Sequence, residues 1–509
     1  MFAREGIFGL IDPKPLPLAG RMAVGAARLI ERRGAGMAST RLSTALTRLG
    51  PTYVKLGQFL ATRPDVVGAT LSRDLEALQD RMPPFPQAQA EKQVSEAFDR
   101  PLAALYSEFG PAVAAASIAQ VHQARLVSTD GAPARRVAVK VLRPDIGPKA
   151  AGDLAAFAFA ARTAERFSAE ARRLRLIEVV ETLRRSVALE LDLRLEAAAL
   201  SEMAENTRDD PDFRVPSVDW DRTARNVLTL EWIDGRPLTD RAGIEASGID
   251  PKQLARTVIQ SFLRHALRDG FFHADMHPGN LFVDPDERLV AVDFGIMGRL
   301  SPKERRFLAE ILYGFITRDY HRAAEVHFEA GYVPRHHSVE SFAQAIRAIG
   351  EPIHNRVAEE ISMASLLMLL FEVTGMFDMR TRPELLLLQK TMVVVEGVGR
   401  SLDPKFDMWQ VAEPVVREWI ERHLGAPGII EGAATGARDV GKFFGDIPGL
   451  LTRGAAVVDH LDVITRDGLV LAPQTIAAIG QAEAKRNRSV AAALWTIAGL
   501  LVLILLTLR

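Results

Sequence analysis

The chain has 509 residues, 48% hydrophobic and 25% charged, with a formal net charge of −1. That is room for two or three domains of ordinary globular composition, and the near-neutral charge gives no case for a nucleic-acid partner. With no cysteine at all, disulfides, thiolate metal sites, Fe–S clusters and cysteine nucleophiles are excluded.

Pro13, Pro15 and Pro17 break any early helix. No short apolar core with a cleavage site follows the first residues, so a secretory signal is not expected. Leu46, Leu49, Tyr53, Leu56 and Leu60 then step by three and four, an apolar stripe at helical period. Gly50-Pro51 kinks that helix or starts a new one. Met82 to Pro86 is a breaker and a candidate linker, and residues 87–109 read as helix again.

From Val121 the pattern changes. Residues 121–127 and 136–142 are short, β-branched runs around a Ser-Thr-Asp-Gly-Ala-Pro cluster, which predicts a hairpin. Residues 150–207 predict a long helix or helical pair, 226–232 a strand ended by Asp234-Gly235, and 251–269 a helix. Strands at 281–283 and 288–293 flank the turn Asp284-Pro285-Asp286-Glu287. Residues 302–423 read as almost wholly helical, and 425–455 as Gly-rich and amphipathic. The fold class is α+β, a small strand-containing lobe followed by a larger helical one.

Ser489 to Leu508 is uncharged and about 20 residues long, enough to cross a hydrocarbon core of roughly 30 Å as a helix. Lys485, Arg486 and Arg488 precede it and, by the positive-inside tendency, keep the N-terminal body in the cytoplasm. The plain alternative is a buried C-terminal core helix, which would be expected to carry a polar face.

The chemistry concentrates between Phe272 and Gly295. Asp275, Asn280 five residues later and Asp293 beyond a hairpin form a spaced set of oxygen donors. Mg²⁺ takes oxygen ligands and keeps phosphate oxygens in its shell, so Asn280 and Asp293 are candidate ligands. Asp275 is left to orient or deprotonate a group attacking a γ-phosphate. As plain structure, Asp275 and Asn280 would be loop caps and turn formers. His273 and His277 are four apart, but Pro278-Gly279 argues against the helix that would pair them on a metal, and His273 is expected to orient the loop by hydrogen bonds. Upstream, Lys140 lies on a strand among apolar alternates, so it can point into a cleft and hold phosphates; otherwise it is a solvated strand lysine. Its carboxylate partner is left open among Glu190, Asp192 and Glu196. On an ideal helix Glu190 lies about 200° from Asp192, so the three cannot share one client without distortion. A charged face with Arg194 as partner is the plain reading.

Taken together these residues resemble the protein-kinase-like UbiB family, over roughly residues 45–300. Lys55-Leu56-Gly57-Gln58 matches the family's KxGQ motif, followed in family style by Thr62-Arg63-Pro64-Asp65. Glu190-Leu191-Asp192 matches its ExD motif, and Glu196 falls where the family pairs a helix glutamate with the strand lysine. Ala114 to His122 looks like the family's alanine-rich phosphate loop, which makes Ala115, Ala116 and Ser117 candidate nucleotide contacts; the family usually has Gly where Ala119 stands. Glu231 to Gly235 matches the hinge that meets adenine, and Met276 stands where relatives usually have proline. Ser301-Pro302 opens a helix soon after Asp293-Phe294-Gly295, so no long activation segment or Ala-Pro-Glu is present.

The resemblance implies a bilobal kinase-like fold with an N-terminal helical extension (1–100), an N-lobe with the ExD insert (101–235), a helical C-lobe (236–424), an amphipathic tail (425–488) and a transmembrane helix (489–508). It implies ATP and Mg²⁺ as ligands, with Lys55, Gln58, Glu190 and Asp192 gating the cleft. It also implies a role in ubiquinone biosynthesis at the bacterial inner membrane, with quinone precursors and the pathway's enzymes as partners. A protein or small-molecule kinase, or an ATP-switched scaffold, are the alternatives. No flavin fingerprint and no metal triad for oxygen chemistry supports a hydroxylase.

Overall fold

The computed structural model describes residues 38–61, 82–127, 134–168, 171–172, 174–354, 373–379 and 383–424, with single positions 25, 75 and 78. The predicted 489–508 span, the 425–488 tail, the early prolines and Thr62 to Asp65 lie outside them. Among the described residues no helix is long and apolar enough to cross a membrane.

The N-terminal stripe forms α1 (Ala38–Leu49) and α2 (Pro51–Ala61). The break falls at Gly50, whose φ of 117° suits glycine, and Pro51 starts the second helix where its missing N–H costs nothing. Gly57 is needed for close approach, since a Cβ there would lie 2.4 Å from Leu78 Cδ1 and 2.7 Å from Leu46 Cδ1.

Next come α3 (Gln87–Phe98), α4 (Leu102–Leu105), β1 (Tyr106–Ala115), β2 (Ala119–Leu126) and β3 (Arg136–Leu142). The expected helix over 87–109 therefore stops short. Residues 106–115 carry Gly110-Pro111 and no clean alternation, yet they form an edge strand, where proline is tolerated and the register slips repeatedly. The expected linker Met82–Pro86 is instead tied to the hairpin: Met82 N–H donates to Ala115 O, and Phe85 exchanges bonds with the Gln120 amide.

The expected helix or helical pair over 150–207 is divided, among the described residues, into α5 (Ile146–Phe167), α6 (Leu176–Glu190) and α7 (Leu193–Asn206). Asp192 ends the run of helix by capping α7 in an extended conformation, accepting from Arg194 N–H. Leu56 and Phe59 of α2 pack against Ala150, Leu154, Leu183 and Val187, which docks the extension on the α5–α6 pair.

β4 (Phe213–Arg214) and β5 (Val227–Glu231) follow. The N-lobe sheet runs β1-β2-β3-β5, antiparallel throughout. Val137, Val139 and Val141 bury one face against Ala90 and Val94 of α3. Strand alternation then sends Lys140 to the opposite face.

The C-lobe begins with β6 (Arg236–Pro237), α8 (Arg241–Ala246) and α9 (Pro251–Arg264), the last capped by Asp250 and running into a π turn at His265–Asp269. β7 (Phe271–His273), β8 (Leu281–Val283), β9 (Leu289–Ala291) and β10 (Met297–Arg299) make two small sheets, β10-β7 and β4-β9-β8-β6. Helices α10 (Pro302–Thr317), α11 (Tyr320–Glu329), α12 (Val339–His354), α13 (Pro383–Leu402) and α14 (Met408–Leu424) complete it. α10 opens with a full capping box between Ser301 and Glu304, and Pro302 sits at its first turn.

Candidate active site

Three separate stretches of chain meet at Lys140. Its Nζ lies 2.8 and 3.0 Å from the two Glu196 carboxylate oxygens and 3.0 Å from Asp293 Oδ1. Glu196, on the first turn of α7, is the partner that spacing alone left open. Burial alone would lower the Lys140 pKa, but the carboxylates of Asp293 and Glu196 outweigh it and raise it. Glu196 is itself raised by burial, against the pull of Lys140. The Lys140 ammonium holds the Asp293 carboxyl well below the usual carboxylate range, and Lys55 adds to that attraction. Asp293 sits at φ 64°, a left-handed conformation that costs a non-glycine residue roughly 1–2 kcal/mol. The same left-handed φ occurs at helix caps such as Asp99 and Arg318, so at Asp293 it serves to aim the carboxylate at Lys140.

The loop before β8 is built around His273. Its Nδ1 accepts the Asp275 N–H at 3.0 Å and its Nε2 donates to Val292 O at 3.2 Å, the orienting role expected of it. Burial lowers its pKa, which favours the neutral ring that this pattern needs. Asn280 Nδ2 donates to Asp275 O at 3.1 Å and lies 3.4 Å from Asp275 Oδ2, so the carboxylate and the amide face each other. Among the described residues nothing donates to Asn280 Oδ1, which leaves its lone pairs for another client. His277 Nδ1 accepts the Gly279 N–H, a local turn bond. Met276 is buried at 1% exposure, so it anchors the loop to the core. Ala274 N–H donates to Ile296 O, and β10 pairs with β7, which fixes Asp293-Phe294-Gly295 to this loop. Gly298 permits that pairing, since a Cβ there would lie 2.1 Å from the Phe272 ring.

The ExD and KxGQ residues divide. Lys55 Nζ is 2.8 Å from Glu190 Oε2, at the end of α6. Asp192, expected to share that client, turns to Arg194 instead, with bonds of 2.8 and 2.6 Å. The helix break at Leu191-Asp192 is the reason: as an N-cap, Asp192 is committed to the helix it starts. Gln58 is half-buried on α2, one turn from Lys55.

The alanine-rich loop is shorter than expected. Ala115 pairs with Gln120 at the strand ends, and the Ala116 N–H donates to Ala119 O. Arg143 holds the Ala116 carbonyl from Nε and Nη2 at 3.2 and 2.9 Å, and its own N–H donates to Ile118 O. Ser117 is fully buried. At the hinge, the Glu231 side chain binds Arg214 at 3.0 Å and accepts the Ser217 N–H, while Arg214 reaches Asp284 at 2.8 Å. Glu231 thus braces β5 against the β8–β9 turn.

Two further residues gave no sequence signal. Thr391 on α13 is buried, and its hydroxyl lies 3.0 Å from Ala274 O and 2.8 Å from Leu387 O, so one proton serves two carbonyls. Arg299, just beyond Asp293-Phe294-Gly295, grips Glu202 of α7 with bonds of 2.7 and 2.5 Å. Both contacts cross about a hundred residues of sequence or more, beyond the reach of any local pattern.

A β-sheet lobe with a lysine–glutamate pair, joined to a helical lobe carrying the Asp275, Asn280 and Asp293 loop, defines an atypical kinase-like protein. The comparisons agree: the ABC1 atypical kinase-like domain matches residues 77–327 and the UbiB helical domain residues 346–407. The chain is 40% identical over 396 residues to "Probable protein kinase UbiB" of Marinobacter nauticus, covering 77% of this chain and 72% of that one. It is also 40% identical over 397 residues to the protein of the same name from Cronobacter sakazakii, with the same coverage. Among solved structures, a complex of Rv3197 with erythromycin from Mycobacterium tuberculosis aligns with TM-score 0.47 and 25% identity, over 78% of this chain and 98% of that one. The chain belongs to the UbiB family.

Proposed function

We propose that the cleft around Lys140 binds Mg-ATP and hydrolyses it, in support of ubiquinone biosynthesis. The observation that carries this reading is the meeting of Lys140, Glu196 and Asp293 beside the Asp275–Asn280 pair. The donor set suits a hard cation: Asp293 is 46% exposed on its side chain at the cleft rim, and the Asn280 amide oxygen is left over by its own hydrogen bonds. Asn280 and Asp293 are the residues that would hold Mg²⁺, which when bound neutralises charge on the β- and γ-phosphates.

Lys140 binds the α- and β-phosphates. Because Glu196 takes it through both oxygens, Lys140 stays ordered whichever partner Asp293 has. Asp275 accepts the proton of the attacking water or hydroxyl; His273 and Asn280 keep its backbone and carboxylate in place. Ala115 and Ala116 close over the nucleotide as a stiff loop in which Ser117 is buried. The hinge that opens at Glu231 meets adenine through backbone beyond Trp232, since the Glu231 and Trp232 N–H groups already donate to Ser217 O and Arg136 O. Lys55 and Gln58, with Glu190, gate the cleft from the extension. Asp192 contributes by ending α6 where Glu190 must point.

The name printed for the relatives favours a second reading, a protein kinase. Against it stands the short path from Asp293-Phe294-Gly295 to α10, only residues 296–301, which offers no platform for a peptide. Incubation with γ-labelled ATP separates the two. Label released as phosphate, with at least a hundredfold loss in Asp275→Asn, supports the ATPase; label transferred to protein supports the kinase. If Asp275→Asn and Asp293→Asn abolish hydrolysis yet leave cellular quinone levels intact, a scaffold role replaces both. The 489–508 run supports a single-pass anchor in the bacterial inner membrane, with the cleft on the cytoplasmic side near quinone precursors and the enzymes that process them. Fractionation of a chain cut at residue 488 tests that placement: release from the membrane is the expected result.

A further inference from the structure

We propose that His336, His337 and Asp378 form a second metal site, outside the cleft, for a borderline divalent cation of the zinc type. The two imidazole Nε2 atoms lie 3.7 and 3.4 Å from Asp378 Oδ2. One ligand atom from each of the three residues lies within 4.8 Å of the other two. A tetrahedral zinc ion with ligands at about 2.0–2.1 Å has ligand-to-ligand edges of roughly 3.3–3.4 Å. The carboxylate edges are therefore already near the required length, and the imidazole–imidazole edge is at most 4.8 Å.

The backbone delivers these side chains from anchored positions. Tyr332 and Val333, just before the histidines, are buried at 5% and 1% exposure. Phe377, next to Asp378, is in the same core cluster as Val333 and Phe342, and its ring lies 5.2 Å from the His337 ring. The His337 N–H closes a turn onto Pro334 O at 3.2 Å. Asp378 takes φ 48°, the left-handed conformation that turns the chain at the end of residues 373–376. The two imidazole rings sit side by side, centroids 4.1 Å apart.

The donor chemistry selects the ion. Two imidazoles and one carboxylate suit zinc and its neighbours, whereas Mg²⁺ and Ca²⁺ prefer all-oxygen shells. Three protein ligands leave a fourth position open. His336 and Asp378 are 66% and 70% exposed on their side chains, so the ion enters from solvent and exchanges with it. Bound there, it clips the loop between α11 and α12 to the 373–379 segment, across 41 residues of sequence.

The test is zinc uptake by the chelator-stripped full chain, titrated against a chromophoric chelator with millimolar Mg²⁺ present to occupy any hard-ion site. The expected result is one equivalent of Zn²⁺, with affinity lowered at least tenfold in His337→Ala and, separately, in Asp378→Asn. Asp378→Asn changes an exposed side chain, so it keeps the test readable should His337→Ala fold poorly. Asp378→Asn should lose the zinc-dependent rise in melting temperature while keeping the metal-free value. Co²⁺ in place of Zn²⁺ should give the intense visible absorption of a four-coordinate ion, absent in Asp378→Asn. No zinc uptake by the parent chain, or a loss smaller than tenfold in both variants, overturns the proposal.

Discussion

Among the described residues, Lys140–Glu196 and Lys55–Glu190 are lysine–carboxylate pairs of the same length built in different ways. Lys140 and Glu196 join a sheet to the helix packed behind it, and Asp293 makes a third partner from the other lobe. Lys55 and Glu190 join a docked extension helix to the last residue of α6, at 14% and 11% side-chain exposure. The first pair belongs to the kinase-like core and is held by everything around it. The second depends on how α2 seats on α5 and α6. What differs between them is the surroundings, not the chemistry: the first pair lies inside the kinase-like core, and the second spans the docked extension and the end of α6.

The largest effect should come from breaking the first pair. Lys140→Met leaves Glu196 buried without its cation, a change that costs about 3–5 kcal/mol, toward the lower end here because Glu196 can take up a proton. Hydrolysis should fall at least a hundredfold. Lys140→Met combined with Glu196→Leu should recover most of the stability and none of the activity, because a well-packed apolar pair can replace a buried ion pair. Chemical denaturation and a phosphate-release assay read the two effects separately.

The second pair should cost less. Lys55→Met is expected to destabilise by about 1–2 kcal/mol, between the values for exposed and buried pairs. It should change hydrolysis by less than tenfold. A double-mutant cycle with Glu190→Gln should return a coupling of at least ~0.5 kcal/mol, while the same cycle with Asp192→Asn should return none. Coupling to Asp192 equal to that with Glu190 would mean that the extension reaches both carboxylates.

The smallest effect tests how the helical domain supports the catalytic loop. Thr391→Val removes a hydroxyl shared between Ala274 O and Leu387 O and should cost about 0.5–1.5 kcal/mol. The rate should drop a few-fold, with recovery in Thr391→Ser. A stability loss with no change in rate would make the contact purely structural.

Much of the site could be read from sequence where chemistry and spacing are local. The 281–283 strand, the turn at Asp284 and Asp293 fall within twenty residues, and the oxygen donors stand at the spacing the loop needs. Lys140 was legible because apolar alternation fixes which face it takes. The Ser301 capping box is likewise written in four residues. The partner of Lys140 was not legible from spacing, because an ideal helix through Glu190, Asp192 and Glu196 hides the break that Asp192 itself makes. β1 was missed because Gly110-Pro111 and an exposed, slipping register look unlike a strand. Thr391 and Arg299 act across 117 and 97 residues, and no periodicity reports such contacts.

The central claim is that Lys140, Asn280 and Asp293 converge on one Mg-bound nucleotide. Calorimetric titration of the full chain with ATP, with and without Mg²⁺, tests it most directly. Saturable binding that requires Mg²⁺ and is weakened at least tenfold by Asp293→Asn is the expected result. Binding of equal strength without the metal, or unchanged in that variant, would contradict it.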